Sequence, residues 1–230
     1  RDFAKRGMLA TVVQVADSIE TTAAAITALN PRAALLVFPE AGELGARLDE
    51  AGIRVVSFAA GAPGISVGSL QVDYLQQQGH SRLAFADVVD SHSFGVLPRR
   101  TEVIEACAAA GFLEPLADEV ARDGVGAADL VAQWHRAGVT AVCAYNDEVA
   151  IAVLFGIREA GLRCPEDIAV IGCDDIPAAA VAYPTLTTLS FDLAPNVTWC
   201  VDTLLHRIGM ADEPENPTMP VARIVRRASA

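Results

Sequence analysis

Short apolar runs of strand length alternate along this chain with longer segments in which apolar residues recur at helical spacing. The strand-like runs, many of them β-branched, are Leu9–Val15, Ala33–Phe38, Arg54–Ala59, Arg82–Ala86, Val139–Ala144, Ile168–Gly172 and Ala222–Arg226. Apolar residues at i, i+3, i+4 and i+7 predict helices over Ser18–Leu29, Gly42–Ala51, Val67–Gln78, Arg99–Ala110, Ala127–Ala137, Asp147–Ala160 and Ala194–Arg207. Alternating strands and helices indicate βαβ units, and strands that are apolar throughout indicate parallel sheets covered on both faces. The pattern therefore predicts an α/β fold with doubly wound parallel sheets.

Glycine follows the last residue of helical spacing in five of these segments. The residues are Gly52, Gly79, Gly111, Gly138 and Gly161. A glycine at this position can adopt the left-handed conformation that closes the last turn of a helix. We therefore expect five of the helices to end at these residues.

The start of the chain is unusual for a doubly wound lobe, which normally begins with the strand that becomes central in its sheet. Residues 1–15, RDFAKRGMLATVVQV, are typical of the end of a helix, a cap at Gly7 and then a strand. Either the first strand of lobe one is absent from this chain or the lobe is built unusually, and truncation is the favoured interpretation. The length of 230 residues is large for one doubly wound domain and suits two lobes.

Charge and composition exclude several classes of protein. The net charge of −12 argues against direct binding to a nucleic acid backbone, which needs clustered Lys and Arg. The five cysteines are odd in number, scattered and never in a CxxC pair, so we expect buried, reduced thiols rather than disulfides or a metal site. No apolar run approaches the roughly eighteen residues of a membrane span, and no signal peptide opens the chain. We expect a cytoplasmic protein, unless a leader has been removed, with no cofactor, metal or membrane partner.

Two polar pairs directly follow two of the most apolar runs. Asn146-Asp147 comes after Val139–Ala144, and Asp174-Asp175 comes after Ile168–Cys173. Each pair therefore falls at the carboxyl end of a predicted strand. Open α/β sheets bind their ligands at this edge, so the pairs are the first candidates for a binding site.

Four islands of sequence occur in a fixed order and spacing. They are Leu75–Ala84 (LQQQGHSRLA), Arg99 with Gly111 twelve residues later, Ala141–Ile168 with its Asn-Asp and Pro-x-Asp-Ile elements, and Val170–Asp175 (VIGCDD) with Pro184–Thr188 and Arg226–Ser229. Gly-His or Asn-Asp alone is a weak signal, but the ordered set is a strong one. In this order the islands resemble the effector-binding domains of the lactose/galactose-repressor (LacI/GalR) family of bacterial transcription regulators. Weaker similarity covers nearly all of the chain.

This resemblance implies a periplasmic-binding-protein-like sensor whose two lobes are joined by three crossover segments and close on a small molecule. The N-terminal lobe is then residues 1–79 plus 192–212, and the C-terminal lobe is residues 80–191 plus 213–230. Family members carry an N-terminal helix-turn-helix domain and a hinge helix, and they usually form homodimers through the sensor domain. The chain holds none of that DNA-binding segment, so operator DNA is expected to bind only through the absent domain.

The resemblance assigns effector contacts to Asn146 and Asp174. The Asn146 amide can both donate to and accept from a sugar hydroxyl. An ionised Asp174 carboxylate can accept two hydroxyl hydrogen bonds, each stronger than a neutral one. The alternatives are that Asn146-Asp147 only caps the following helix and that Asp174-Asp175 only forms a turn. We interpret Asn146 and Asp174 as ligand contacts, Asp147 mainly as the cap and Asp175 mainly as a turn residue.

Two further positions complete the predicted effector site. Arg99 matches the family arginine that opens a helix on the ligand side of lobe two, and its guanidinium suits vicinal hydroxyls or an anionic group. A solvated arginine at the helix start is the alternative, and the neighbouring Arg100 leaves the register open. Phe191 falls at a crossover between the lobes, where its ring either stacks on a sugar or, the preferred interpretation, packs in the hinge.

Catalytic motifs are missing from the sequence. It contains no GxSxG, HExxH or GxxxxGK[ST] motif, and carboxylates adjacent in sequence do not suit general acid/base work, so we expect no catalytic residues and no enzyme. The leading interpretation is the ligand-sensing domain of a bacterial repressor, which binds a small polar effector such as a sugar or nucleoside and allosterically controls DNA binding. The alternative is a solute-binding receptor of a sugar transport system. The phrase PEDIAVIGCDD and the missing signal sequence favour the regulator.

Overall fold

The computed structural model describes residues 8–13, 18–36, 41–57, 66–89, 97–216 and 221–230. The chain divides into two compact units. Unit 1 contains residues 1–60 and 194–218, and unit 2 contains residues 61–193 and 219–230. The chain passes between the units three times, after residues 60, 193 and 218, which is the connectivity expected of a two-lobed protein with three crossovers.

Helices and strands alternate along most of the described chain. In order, the elements are α1 (Ile19–Ala28), β1 (Ala33–Leu36), α2 (Ala41–Glu50), β2 (Arg54–Ser57), α3 (Val67–Gln77), β3 (Leu83–Val88), α4 (Leu97–Ala109), β4 (Leu116–Val120), α5 (Ala127–Arg136), β5 (Ala141–Ala144), α6 (Asp147–Glu159), β6 (Ala169–Cys173), a 3-10 turn (Pro177–Ala180), β7 (Thr187–Phe191), α7 (Ala194–Arg207) and β8 (Ala222–Val225). The longest of these helices, α7, has 14 residues. Over the described ranges, no helix combines the length and the apolar character needed to cross a membrane.

Unit 1 is built on a small sheet with helices on both faces. Strands β1 and β2 pair in parallel and form a two-stranded sheet in the described residues. Helices α1 and α2 pack on one face through Ile26, Leu44 and Leu48. Helix α7 packs on the other face through Cys200 and Leu204.

In its described residues, unit 2 contains a six-stranded sheet with the order β4-β3-β5-β6-β7-β8. All neighbouring strands are parallel except β7 and β8, which are antiparallel. Every residue of β3, β5 and β6 is buried, which is why these strands are apolar apart from Asp87 in β3. Helices α5 and α6 cover one face, and helices α3 and α4 cover the other. The predicted α/β fold with doubly wound parallel sheets is confirmed, except that the edge strand β8 is antiparallel.

The predicted helices are confirmed within two residues at each end. All five predicted glycine caps lie in the left-handed region, with φ between 73° and 92°. The predicted strand Leu9–Val15 is wrong for residues 9–13, which form no strand, while residues 14 and 15 lie outside the described residues. Leu9 and Val12 are more than nine-tenths exposed. An isolated apolar run becomes a strand only when a neighbouring strand supplies its hydrogen bonds, and residues 9–13 pair with neither β1 nor β2.

The compact units differ from the predicted lobes mainly over residues 61–79, which belong to unit 2. Helix α3 accounts for the difference because its buried residues Val72, Tyr74 and Leu75 pack with the side chains of β3 and α4. Unit 1 correspondingly takes up residues 194–218 rather than 192–212. The Leu-x-x-x-Gly-His island therefore ends a helix of the second unit.

Candidate functional site

Polar residues that follow β5 and β6 meet at one edge of the larger sheet. Tyr145 and Asn146 come directly after β5, and Asp174 and Asp175 come directly after β6. The two strands are parallel neighbours, so their carboxyl ends lie at the same edge. The two polar pairs found in the sequence are therefore brought together, as predicted.

The Arg99 side chain extends from the first turn of α4 to this edge. Its Nη1 donates a hydrogen bond to the carbonyl oxygen of Tyr145. The guanidinium lies over the Tyr145 ring, 4.5 Å from the ring centroid, and Nη2 is 3.8 Å from Oδ1 of Asp174. Arg99 is only 18% exposed. It is therefore fixed in place by a backbone acceptor, an aromatic face and a carboxylate, and it is not a solvated arginine at a helix start.

The charges at this edge influence one another. Burial raises the pKa of Asp174, and the nearby Arg99 guanidinium lowers it, with burial the larger effect. Burial also raises the pKa of the Tyr145 phenol, against the opposing effect of Arg99. Burial alone would lower the pKa of Arg99, but Cys173, Asp174 and Tyr145 together raise it. Arg99 therefore stays charged, while Asp174 is a carboxylate whose proton affinity depends on the arginine beside it.

Asn146 caps α6, although Asp147 was predicted as the main cap. Asn146 is the N-cap of α6, because its Oδ1 accepts a hydrogen bond from the Val149 amide at 3.0 Å. Asp147 is fully buried instead. Its Oδ1 accepts from the Thr188 hydroxyl at 2.5 Å and its Oδ2 from the Ile176 amide at 2.9 Å. The interpretation of Asp147 as the cap is therefore wrong; its carboxylate ties the start of α6 to β7 and to the turn after β6.

The turn after β6 is formed by two residues with positive φ. The φ angles of Asp174 and Asp175 are 108° and 51°, a region that aspartate tolerates better than most residues. Asp175 Oδ1 lies 2.7 Å from Nη2 of Arg227, and this pair is largely buried. Asp175 therefore holds the turn, whereas the Asp174 side chain is 43% exposed and is directed to Arg99.

Phe191 is the last residue of β7 and is half-buried. It packs against a small cluster that contains Val67, Cys173 and Leu189. The preferred interpretation of Phe191 as a packing residue agrees with this position. Cys173 lies one residue before Asp174, so the Phe191 ring is close to the edge that carries the polar residues.

Sequence reasoning missed two residues of this edge. Tyr145 lies between β5 and Asn146, and the apolar run before it gives no sign that its ring supports Arg99. Asp87 is a buried carboxylate in β3, the strand next to β5, and it raises the pKa of Tyr145. An aspartate inside an otherwise apolar strand is an unusual residue, and this is the one signal that would have pointed to the position.

The assembled groups suit recognition of a polar molecule. Arg99 supplies hydrogen-bond donors, Asp174 supplies acceptors and the Tyr145 ring supplies a flat apolar surface. In the described ranges, no three His, Cys, Asp or Glu side chains are grouped so that they could hold a metal ion. The arrangement places charged and hydrogen-bonding groups beside one aromatic ring at the edge of the sheet.

Comparison with known proteins identifies the family. The family profile described as "Periplasmic binding protein-like domain" matches residues 72–230. The lactose operon repressor of Rhizobium radiobacter is 39% identical over 92 residues, which are 39% of this chain and 79% of that protein. The ribose operon repressor of Escherichia coli K12 is 34% identical over 148 residues, which are 61% of this chain but only 44% of that protein.

A solved structure extends the likeness to the whole chain at the level of fold. The LacI-family transcriptional regulator from Lactobacillus casei with bound sucrose has a TM-score of 0.82 and 22% sequence identity. The superposition covers all of this chain and 91% of that one. The chain therefore belongs to the periplasmic binding protein-like family and corresponds to the effector-binding domain of a LacI-family transcriptional regulator.

Proposed function

We propose that this chain senses a small polyhydroxylated effector, a sugar or a nucleoside, and that the edge residues of unit 2 bind it. The observation that carries the proposal is the fixed Arg99 guanidinium, held over the Tyr145 ring and within 3.8 Å of Asp174. A donor fork next to a carboxylate matches the alternating donors and acceptors of vicinal hydroxyls. The sucrose held by the L. casei regulator and the name of the ribose operon repressor support this class of ligand.

Each predicted site residue has a definite part in this proposal. Arg99 donates to ligand oxygens, and Asp174 accepts from ligand hydroxyls. Asn146 uses Oδ1 as the helix cap, which leaves its Nδ2 group to donate to the ligand. Phe191 lines the edge with an apolar surface while it packs against Leu189. Tyr145 joins the predicted set because its ring supports Arg99.

Effector binding regulates transcription in this proposal through the full-length protein. An effector that binds one arrangement of the protein more tightly than another shifts the balance between them, and this changes how a helix-turn-helix domain outside these 230 residues binds operator DNA. A homodimeric, cytoplasmic repressor is the corresponding assembly. The named relatives are repressors, which favours this function over the sugar-transport receptor and over an enzyme.

A thermal-shift screen with sugars, nucleosides and sugar phosphates tests the proposed function. A ligand present at 100 times its dissociation constant stabilises the folded protein by about 2.7 kcal/mol. Asn146→Asp keeps a good N-cap and removes the Nδ2 donor, and Asp174→Asn removes the charge that faces Arg99. Both variants should lose most of the ligand-induced shift without losing their fold.

The control for this screen is Asp73→Asn, which changes an exposed aspartate on α3 and should keep the full shift. A full shift in both Asn146→Asp and Asp174→Asn would show that the effector binds elsewhere. If no member of the three ligand classes raises the melting temperature of the wild-type chain, the proposed effector class is wrong.

A further inference from the structure

The side chain of Gln71 is buried beneath the candidate site. Gln71 lies on α3 and is 1% exposed. Its Nε2 donates to the carbonyl oxygen of Ala144 at 2.9 Å and to that of Gly172 at 3.1 Å, and it is 3.5 Å from the carbonyl oxygen of Ile171. Three acceptors surround this atom, so the amide nitrogen, not the oxygen, faces the strands.

Gln71 acts at the point where two strands stop pairing. The β5–β6 register ends with Cys143 opposite Ile171. Beyond that pair each strand stays bonded to its other neighbour: the Tyr145 amide donates to Ala86, and the Asp174 amide donates to Leu189. The Gln71 amide therefore bridges β5 and β6 where the two strands no longer pair with each other.

Each of the two carbonyls that Gln71 joins lies two residues before a candidate ligand contact. Ala144 precedes Tyr145 and Asn146, and Gly172 precedes Cys173 and Asp174. A hydrogen bond to each carbonyl fixes the distance between the two strand ends. That distance sets how far the Asp174 carboxylate lies from the Arg99 guanidinium, because Arg99 donates to the carbonyl oxygen of Tyr145.

Helix α3 also positions the helix that carries Arg99. The Gly68 amide donates to Oε2 of Glu102 at 3.0 Å, and Glu102 lies in α4, three residues after Arg99. The helices touch backbone to backbone at this point, since a Cβ on Gly68 would lie 2.5 Å from the Val103 nitrogen. One helix thus contacts β5, β6 and α4, the elements that supply Arg99, Tyr145, Asn146 and Asp174.

We propose that Gln71 is a positioning residue for the ligand site, which holds the ends of β5 and β6 at the separation that binding requires. Of its two tests, amide exchange needs no ligand, and only the ligand titration rests on the proposed function of that site. Gln71→Met keeps the length and volume of the side chain but has no donor, so Ala144 and Gly172 lose their shared partner. Gln77→Met is the matched control, because Gln77 is exposed on the same helix.

Amide hydrogen exchange followed by NMR gives a test that needs no ligand. Four amides are hydrogen-bonded around the strand ends: Tyr145, Val149, Asp174 and Ile176. In Gln71→Met these four should exchange at least tenfold faster than in the wild type, whereas the Val139 and Leu162 amides, bonded to Trp134 and Ile157, should keep their rates. Equal acceleration of all six amides, or of none, would overturn the inference, because Gln71 would then affect only global stability or nothing.

Titration with D-ribose, followed calorimetrically, tests the consequence for binding. Gln71→Met should bind ribose at least tenfold more weakly than the wild type, and Gln77→Met should bind it equally well. Unchanged ribose affinity despite faster exchange at the four site amides would overturn the positioning role. If the wild type itself does not bind ribose, ribose is not the effector, and the exchange rates alone decide the role of Gln71.

Discussion

The pKa of the Asp147 carboxyl group, at the start of α6, depends on burial and on two hydrogen bonds. It is fully buried and accepts hydrogen bonds from the Thr188 hydroxyl and the Ile176 amide. Burial raises its pKa, while these two hydrogen bonds lower it, and burial is the larger effect. The folded protein therefore binds the Asp147 proton more tightly than the unfolded chain does.

We expect this shift to appear in the pH dependence of stability. A group whose pKa is raised on folding contributes its full stabilisation below the unfolded pKa, which is 3.8 for aspartate, and loses it as the pH rises through the folded pKa. The wild type should therefore lose stability relative to Asp147→Asn as the pH rises from about 3 to about 7, by about 1.4 kcal/mol for each unit of pKa difference. Urea unfolding of both proteins across this range measures the difference.

Asp167 offers a control of the opposite sign. Its hydrogen bonds with Arg163 lower its pKa, so its contribution is present above the ordinary aspartate pKa and is lost as the pH falls. Relative to Asp167→Asn, the wild type should therefore gain stability as the pH rises. A constant difference between the wild type and Asp147→Asn would show that the Asp147 proton affinity does not change on folding.

At the scale of single residues, the sequence was informative about position and less so about role. The two polar pairs and Arg99 were predicted at the carboxyl edge, and the structure brings them together there. That Asn146 and not Asp147 caps α6 could not be predicted, because both residue types cap helices well and the choice depends on one residue of register. The buried position of Gln71 could not be predicted either, since a glutamine in a helical segment normally lies on the exposed face.

Among the elements, α3 and α4 cross backbone to backbone, and this contact positions the site. Gly68 has no side chain to separate the helices, and a Cβ there would lie 2.5 Å from the Val103 nitrogen and 2.7 Å from the Glu102 carbonyl carbon. Both atoms are backbone and cannot turn away as the end of a side chain can. A methyl group at Gly68 therefore requires the helices to move apart.

Gly68→Ala should destabilise unit 2 by about 1–3 kcal/mol, because overpacking forces a shift of the backbone. Gly45→Ala is the contrasting variant, since a Cβ at Gly45 meets only ordinary contacts, the nearest at 3.7 Å from Val55. Alanine in the interior of α2 should instead stabilise unit 1 by about 0.5–1 kcal/mol. Urea unfolding, followed by Trp134 fluorescence for unit 2 and Trp199 fluorescence for unit 1, separates the two effects. An unchanged free energy of unfolding in Gly68→Ala would contradict the close helix contact.

Element type was predictable wherever the apolar residues follow a regular pattern. The helices and the strands β3, β5 and β6 follow apolar patterns that the sequence shows directly. Strands β4 and β7 were not predicted, because LADEV and TTLSF mix polar residues with apolar ones. In β7 the buried Thr187 and Thr188 are satisfied by the C-terminal residue Ala230 and by Asp147, partners that are far away in sequence.

The whole molecule combines two units of unequal size. In the described residues, unit 1 holds a two-stranded sheet and two small buried clusters. Unit 2 holds a six-stranded sheet with a core on both faces. Because the described side chains of unit 1 bury less apolar surface than those of unit 2, local stability should be lower in unit 1. The sequence predicted two lobes from length and resemblance, but apolar periodicity does not reveal which unit a helix such as α3 joins.

The two tryptophans of the chain allow this difference to be measured, because there is one in each unit. Trp134 is fully buried in unit 2, where its Nε1 donates to Asp118 at 2.8 Å, and Trp199 is half-buried in unit 1. Trp199→Phe leaves only the Trp134 fluorescence, which reports on unit 2, and Trp134→Phe leaves only the Trp199 fluorescence, which reports on unit 1. Each substitution therefore lies in the unit that is not being observed. We expect the Trp199 signal to change at a lower urea concentration than the Trp134 signal. Coincident midpoints would mean that the two units unfold as one cooperative structure, and any ligand-induced stabilisation would then be shared by both.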